Sequence, residues 1–154
     1  MYRISLVKDL VEITKNQDII IEYLIKVIDK APEVTLKTVL ESIGKGHSQL
    51  WLVYKDEEIL GAVVTKHVSY PVKERLLIHL CGGKDITEWV DLYMETVEDW
   101  AKEKGLDGVE IFGRKGWTKL IPDYSSDIIY MVKEFLMSKG GGTTTETQEI
   151  DQRT

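Results

Sequence analysis

The chain has 154 residues, 43% of them hydrophobic and 30% charged, with 26 acidic against 20 basic side chains and a net charge of −6. That length predicts one domain with a sizeable core, and an isoelectric point near 5.1 leaves no basic stripe to track phosphates, which argues against direct nucleic-acid binding. The single cysteine, Cys81, excludes an internal disulfide framework and suits a reducing cytoplasm; no signal peptide opens the chain and no apolar run approaches the length of a membrane span, so the expectation is a soluble protein.

In chain order, residues 1–7 read either as a short strand or as the lead-in to a helix over 7–14. Residues 18–29 form an amphipathic helix on Ile19, Ile20, Tyr23, Leu24, Val27 and Ile28, stopped at Ala31-Pro32 because the residue before proline is pushed out of the helical region. Thr35 is placed to cap a further helix over 36–43, closed by Gly44-Lys45-Gly46. The period then changes: 49–54 and 59–68 read as strands joined by the polar connection Lys55-Asp56-Glu57-Glu58, suited to a hairpin. Arg75 to Cys81 is apolar at nearly every position, as in a strand covered on both faces.

Gly82-Gly83 breaks that strand, and Asp85 with Glu88 gives the D-x-x-E pattern of a capping box. Ile86, Trp89, Val90, Tyr93, Val97, Trp100, Ala101 and Lys104 then mark one stripe of a long helix, and Gly105 supplies its left-handed stop. A short strand over 108–112 comes next, so strand, helix and strand should form a crossover between parallel partners. Residues 117–121 read as one or two helical turns ended by Pro122, and residues 127–135, DIIYMVKEF, as a last strand. The remainder, rich in glycine and threonine, reads by composition as a flexible tail. The domain expected is 1–137, with the tail at 138–154.

The blocks Q-L-W-L-V at 49–53, G-A-V-V-T at 61–65, L-C-G-G at 80–83, W-A-x-x-x-G at 100–105 and G-R-x-G-W at 113–117 resemble a family of short GNAT-like (N-acetyltransferase-fold) proteins encoded by tailed bacteriophages and prophages. The resemblance spans roughly residues 1–137. It implies an α/β (α+β) fold with a central mixed sheet and helices on both faces, but a shared fold is not a shared reaction.

In acetyltransferases of that fold, a loop after the central strand holds the pyrophosphate of acetyl-CoA on backbone amides and a helix N-terminus. The matching place here is Cys81-Gly82-Gly83-Lys84, a loop about two residues short, without the basic or glutamine residue that opens the motif and with Asp85 where the anion should bind. A tight strand-to-helix turn is the plainer reading of it. The tyrosine that reprotonates the departing thiolate is missing from the helix at Trp117; Tyr124, beyond Pro122, suits core or rim better. His79 on the central strand and Glu110 on its neighbour are candidate bases, each with an ordinary packed or solvated alternative. His47 and His67 carry no metal spacing, and Cys81 has no visible partner for a nucleophile's role. The four tryptophans read as core, with Trp117 bordering the cleft.

Two functions are compatible with these residues. One is a non-catalytic structural or interaction component of a virion, needing no cofactor, present in many copies and docking other phage structural proteins through its tail. The other is an acetyl-CoA-dependent N-acetyltransferase acting on a host protein or small amine. The first places the protein in the virion or the host cytoplasm.

Overall fold

A computed structural model of the protein describes residues 1–135. Five strands lie in sequence order across one sheet: β1 (Tyr2–Leu6), β2 (Ser48–Lys55), β3 (Glu58–Ser69), β4 (Glu74–Gly83) and β5 (Gly108–Ile111). The first four are antiparallel neighbours, and β5 runs parallel to β4. Five helices accompany them: α1 (Leu10–Lys15), α2 (Gln17–Ile28), α3 (Leu36–Gly44), α4 (Ile86–Glu103) and α5 (Trp117–Leu120). The two readings left open at the N-terminus both find a place, β1 as the edge strand and α1 after it.

The sheet is covered on both faces. On one side α4 buries Trp89, Val90, Tyr93, Met94, Val97 and Ala101 against Trp51, Val63, Leu76 and Ile78. On the other, Ile20, Tyr23 and Leu24 of α2 and Val39 of α3 pack on Leu50, Leu52, Ala62, Val64 and Leu80. This two-sided burial explains why β3 and β4 are apolar along most of their length rather than alternating. It matches the mixed sheet between helical layers expected from the sequence. A short polar chain crosses the core: the Trp51 indole donates to the Thr65 hydroxyl at 3.0 Å, which donates to Gln49 Oε1 at 2.8 Å. Thr65 is fully buried, so this chain satisfies a hydroxyl that would otherwise be costly to enclose.

The local signals work as chemistry predicts in most places. Thr35 and Thr38 cap α3 reciprocally. The β2–β3 hairpin turns on Asp56-Glu57, with Asp56 at φ 54°, and Gly105 ends α4 at φ 77°. Two expectations fail. Asp85 adopts a left-handed conformation at φ 57° and its side chain makes no capping bond; Glu88 instead accepts from the Tyr2 hydroxyl at 3.1 Å, so no capping box forms. Residues 127–135 form no strand: Ile128 to Val132 are 65–92% exposed, and residues 127–134 join no ladder among the described residues. The tail expected at 138–154 lies outside the described residues.

Candidate functional site

β4 and β5 pair over only four positions, from Arg75 opposite Gly108 to Ile78 opposite Ile111. β5 then ends, while β4 runs on to Gly83. At the same point β4 carries a bulge: Thr65 of β3 faces Ile78 and Val64 faces Leu80, which leaves His79 as the extra, unopposed residue. The two parallel strands therefore part at His79. The outer edge of β4 from His79 to Gly83 opens on a cleft of about 850 Å³, closed by α2 on one side and by Gly113, Trp117 and Leu120 on the other.

The bulge also resets the faces. A strict alternation puts Leu77, His79 and Cys81 together; instead Leu80 packs on the α2 side and Cys81 on the α4 side. His79 lines the cleft half-buried, and desolvation, reinforced by Lys66 and opposed by Glu33, holds its imidazole below the ordinary range and hence neutral near pH 7. Enclosure of its sulfur pushes the Cys81 thiol up to about 12, so no thiolate is available for nucleophilic attack.

The glycines of the supposed phosphate loop serve the protein itself. A β-carbon at Gly82 would lie 2.3 Å from the Tyr23 carbonyl oxygen, and one at Gly83, where φ is +153°, would lie 2.4 Å from the Leu60 carbonyl oxygen. Their bare faces are thus filled by the backbones of α2 and β3, not held open as a cradle. The Lys84 amide donates to the same Leu60 carbonyl at 2.9 Å. Its ammonium pairs with Glu58 at 2.9 Å, which holds the lysine above its ordinary range, and its carbonyl accepts from the Trp89 indole at 2.8 Å. Only Lys84 and Asp85 separate β4 from α4.

Charges around the cleft balance, with Lys26, Lys30, Lys84 and Arg114 against Glu22, Glu33, Glu57 and Glu58. The pyrophosphate and 3′-phosphate of acetyl-CoA call for a cationic excess and free amides; the cleft carries no cationic excess, and the Lys84 amide is already bonded to Leu60.

The expected acids and bases are scattered. Glu110 is not in the cleft: it accepts from the Tyr70 hydroxyl at 2.8 and 3.0 Å and lies 3.6 Å from Arg75. Tyr124 packs beside α4 and donates to Glu98 at 2.8 Å; burial, together with this bond, holds the phenol well above its usual range. The tyrosine that does line the cleft, Tyr23, donates its hydroxyl to the Ile59 carbonyl at 2.9 Å and is buried. Among the described residues, no group of three or more His, Cys, Asp or Glu side chains could hold a metal ion.

Reasoning from sequence missed α2 as a wall of the cleft. Its signal was the polar series Glu22, Lys26 and Lys30 at four-residue steps, beside Tyr23 and Val27. The G-R-K-G-W block, in turn, is a packing device: Gly113 lies against the Trp117 indole, where a β-carbon would meet the ring at 2.6 Å, and the Trp117 amide donates to the Arg114 carbonyl. Tyr93 is the remaining oddity, a fully buried hydroxyl with no hydrogen-bond partner among the described residues, its ring held edge-on by Trp51 and Trp89.

No protein-family model matches the chain, and no curated protein does. Solved structures do. A probable acetyltransferase shares 12% identity over 89% of this chain and 99% of its own, with a TM-score of 0.66. A GNAT family acetyltransferase from Staphylococcus aureus shares 13% over 87% and 98%, at 0.60. A predicted acetyltransferase from Clostridium acetobutylicum, solved with acetyl-CoA, shares 12% over 90% and 96%, at 0.57. At such identities the likeness is one of fold, and this chain has the fold of the GNAT acetyltransferases.

Proposed function

We propose that this chain is a GNAT-fold protein that does not transfer acetyl groups and works as an interaction component of a larger assembly. The sequence resemblance to phage-encoded proteins supports a tailed-phage virion as that assembly, built in the host cytoplasm, with other structural proteins engaged through residues 138–154.

The observation that carries the reading is the state of Gly82, Gly83 and Lys84. Carbonyls of Tyr23 and Leu60 fill the space beside both glycines, and the Lys84 amide and ammonium are already committed. An anion site needs unspent donors. Isothermal titration with acetyl-CoA tests this, and no heat of binding is expected at millimolar ligand. Micromolar affinity, with transfer to any amine, overturns the proposal.

One observation favours the second reading, an acetyl-CoA-dependent N-acetyltransferase. The cleft at the β4–β5 parting holds about 850 Å³ and is lined by apolar Ile78, Ile86, Ile111 and Trp117, room enough for an extended ligand. Under that reading the anionic end lies on Lys26, Lys30 and Arg114 instead of the glycine turn. Charge reversal of Lys26 and Lys30 to Glu would then abolish binding, while leaving the fold intact because both side chains lie at the cleft rim.

A further inference from the structure

The β3–β4 ladder has its phase fixed at both ends. The Tyr70 amide donates to the Lys73 carbonyl, and the Lys84 amide to the Leu60 carbonyl. Hydrogen-bonded and non-bonded pairs alternate along an antiparallel ladder, so Leu80 opposite Val64 and Gly82 opposite Ala62 turn their main-chain groups toward β3. The N–H and C=O of a planar trans peptide point opposite ways. Those of Cys81 and Gly83 therefore point outward, into the cleft that both residues line. β5 would be their partner, but its ladder stops at Ile78 opposite Ile111. Two main-chain donors and two acceptors thus face the cleft without a hydrogen-bond partner among the described residues. His79, at the closed end of the same edge, makes no side-chain hydrogen bond among them either.

We infer that this edge receives an extended peptide segment of another protein, which adds as a strand beside β4 between α2 and Trp117. The inference rests on the reading of the chain as an interaction component and names the surface and the class of partner. Spacing is the first reason. Cys81 and Gly83 lie two residues apart on one edge, so their groups repeat at about 7 Å, the repeat of a strand's own main chain. An anion needs amides that converge on one point; here each outward amide is flanked by an outward carbonyl, which repels negative charge.

The walls and the charges agree. An extended chain presents alternate side chains to opposite faces. One set would meet Ile86 and Trp117, which pack on the α4 cluster, and the other Val27 and Ala31, which pack on the α2 cluster. Both rows are apolar, so the segment that fits is apolar on both faces along the edge. Around them Lys26, Lys30 and Arg114 stand against Glu22, Glu33 and Glu57, both signs at one rim. That balance suits a neutral chain with mixed charges at its ends and disfavours a polyanion. From His79 to Gly83 the edge accommodates roughly five residues at ~3.4 Å each.

Random heptapeptides displayed between flanking linkers and selected against the full chain test the proposal. Enriched sequences, synthesised with acetylated and amidated ends, should bind with micromolar affinity through an apolar centre. Methylating one central backbone nitrogen removes a donor and leaves every side chain in place; it should weaken binding about tenfold. Amide exchange, followed residue by residue in the full chain, reads the edge itself. Without peptide, Cys81 and Gly83 should exchange faster than their neighbours Leu80 and Gly82, and bound peptide should slow both by about tenfold or more. Failure to enrich any sequence, or peptides that bind without slowing these two amides, overturns the proposal. So does a free chain in which both amides are already slow, a result that makes the chain's own last residues the occupant. Acetyl-CoA, added in place of peptide, separates this inference from the reading beneath it. If acetyl-CoA slows the two amides, that reading falls and the inference with it; if neither ligand slows them, only the inference falls.

Discussion

A β-carbon at Gly82 would sit 2.3 Å from the Tyr23 carbonyl oxygen and 2.9 Å from Val27 Cγ2. Neither neighbour can move aside cheaply, because the first is helix backbone and the second packs beside it in the cluster under α2. Gly82→Ala must therefore force α2 away from β4. The expected loss is at least the ~1–3 kcal/mol typical of overpacked cores, read as a lowered urea midpoint. Gly44→Ala is the contrast: it sits at the end of α3 with nothing within 4 Å of a built β-carbon. That change should leave stability unaltered or raise it by up to ~1 kcal/mol. A Gly82→Ala protein as stable as the parent would mean that the turn is looser than its backbone contacts indicate, and would reopen Gly82 and Gly83 as a ligand cradle. In a sequence, a glycine needed for ligand approach and one needed for chain approach look alike. Only the neighbour that fills the gap tells them apart, and for Gly82 that neighbour is Tyr23, 59 positions away.

At the scale of elements, the legible part came from periodicity. α2, α3, α4 and the strands β2 to β5 lie where the apolar pattern put them, to within a few residues at their ends. The illegible part depended on neighbours. Asp85-x-x-Glu88 has the letters of a capping box, but the short link after β4 turns Asp85 left-handed and Tyr2 takes Glu88. Residues 127–135 have the letters of a strand, but a strand also needs an edge to bond. The bulge at His79 leaves no mark in an apolar run, yet it opens the cleft and decides which residues line it. It also gives His79 a testable signature. The folded chain holds this imidazole below 6.5, chiefly by desolvation. Between the folded value and 6.5 the unfolded chain binds more protons, so stability falls as pH drops through that window and levels off below the folded value. Urea midpoints taken from pH 7.5 down to pH 5 should decline, and His79→Gln should flatten the difference between the two ends. An undiminished slope in the variant would assign the effect to other groups and place His79 in open solvent.

Among the described residues, every member of the two core clusters, and every side chain packed against them, lies between Tyr2 and Tyr124. Up to residue 135 the chain thus separates the residues that build the clusters from those after Tyr124 that do not. Folding free energy in a domain of this size comes from such two-sided burial, and residues outside it contribute little. Chains of different length then test these parts separately. Ending the chain after residue 126 keeps Tyr124 on Glu98 and every described member of both clusters, so a cooperative melt within a few degrees of the full protein is expected. Ending it after residue 137 keeps Asp127–Phe135 and should preserve the melt. That 1–137 chain lacks Gly140 to Thr154, a stretch with one isoleucine and many hydrogen-bonding side chains. Such a composition recognises a partner through main-chain and polar contacts more than by burial. If residues 138–154 dock the protein into its assembly, the 1–137 chain folds and fails to incorporate, which co-assembly with the remaining structural proteins would show directly. Normal incorporation of the 1–137 chain removes the tail from that role and leaves the surface of the domain as the part that meets the assembly. A 1–126 chain that fails to melt cooperatively would be the more serious result, since it would mean that the strand after Tyr124 is part of the core.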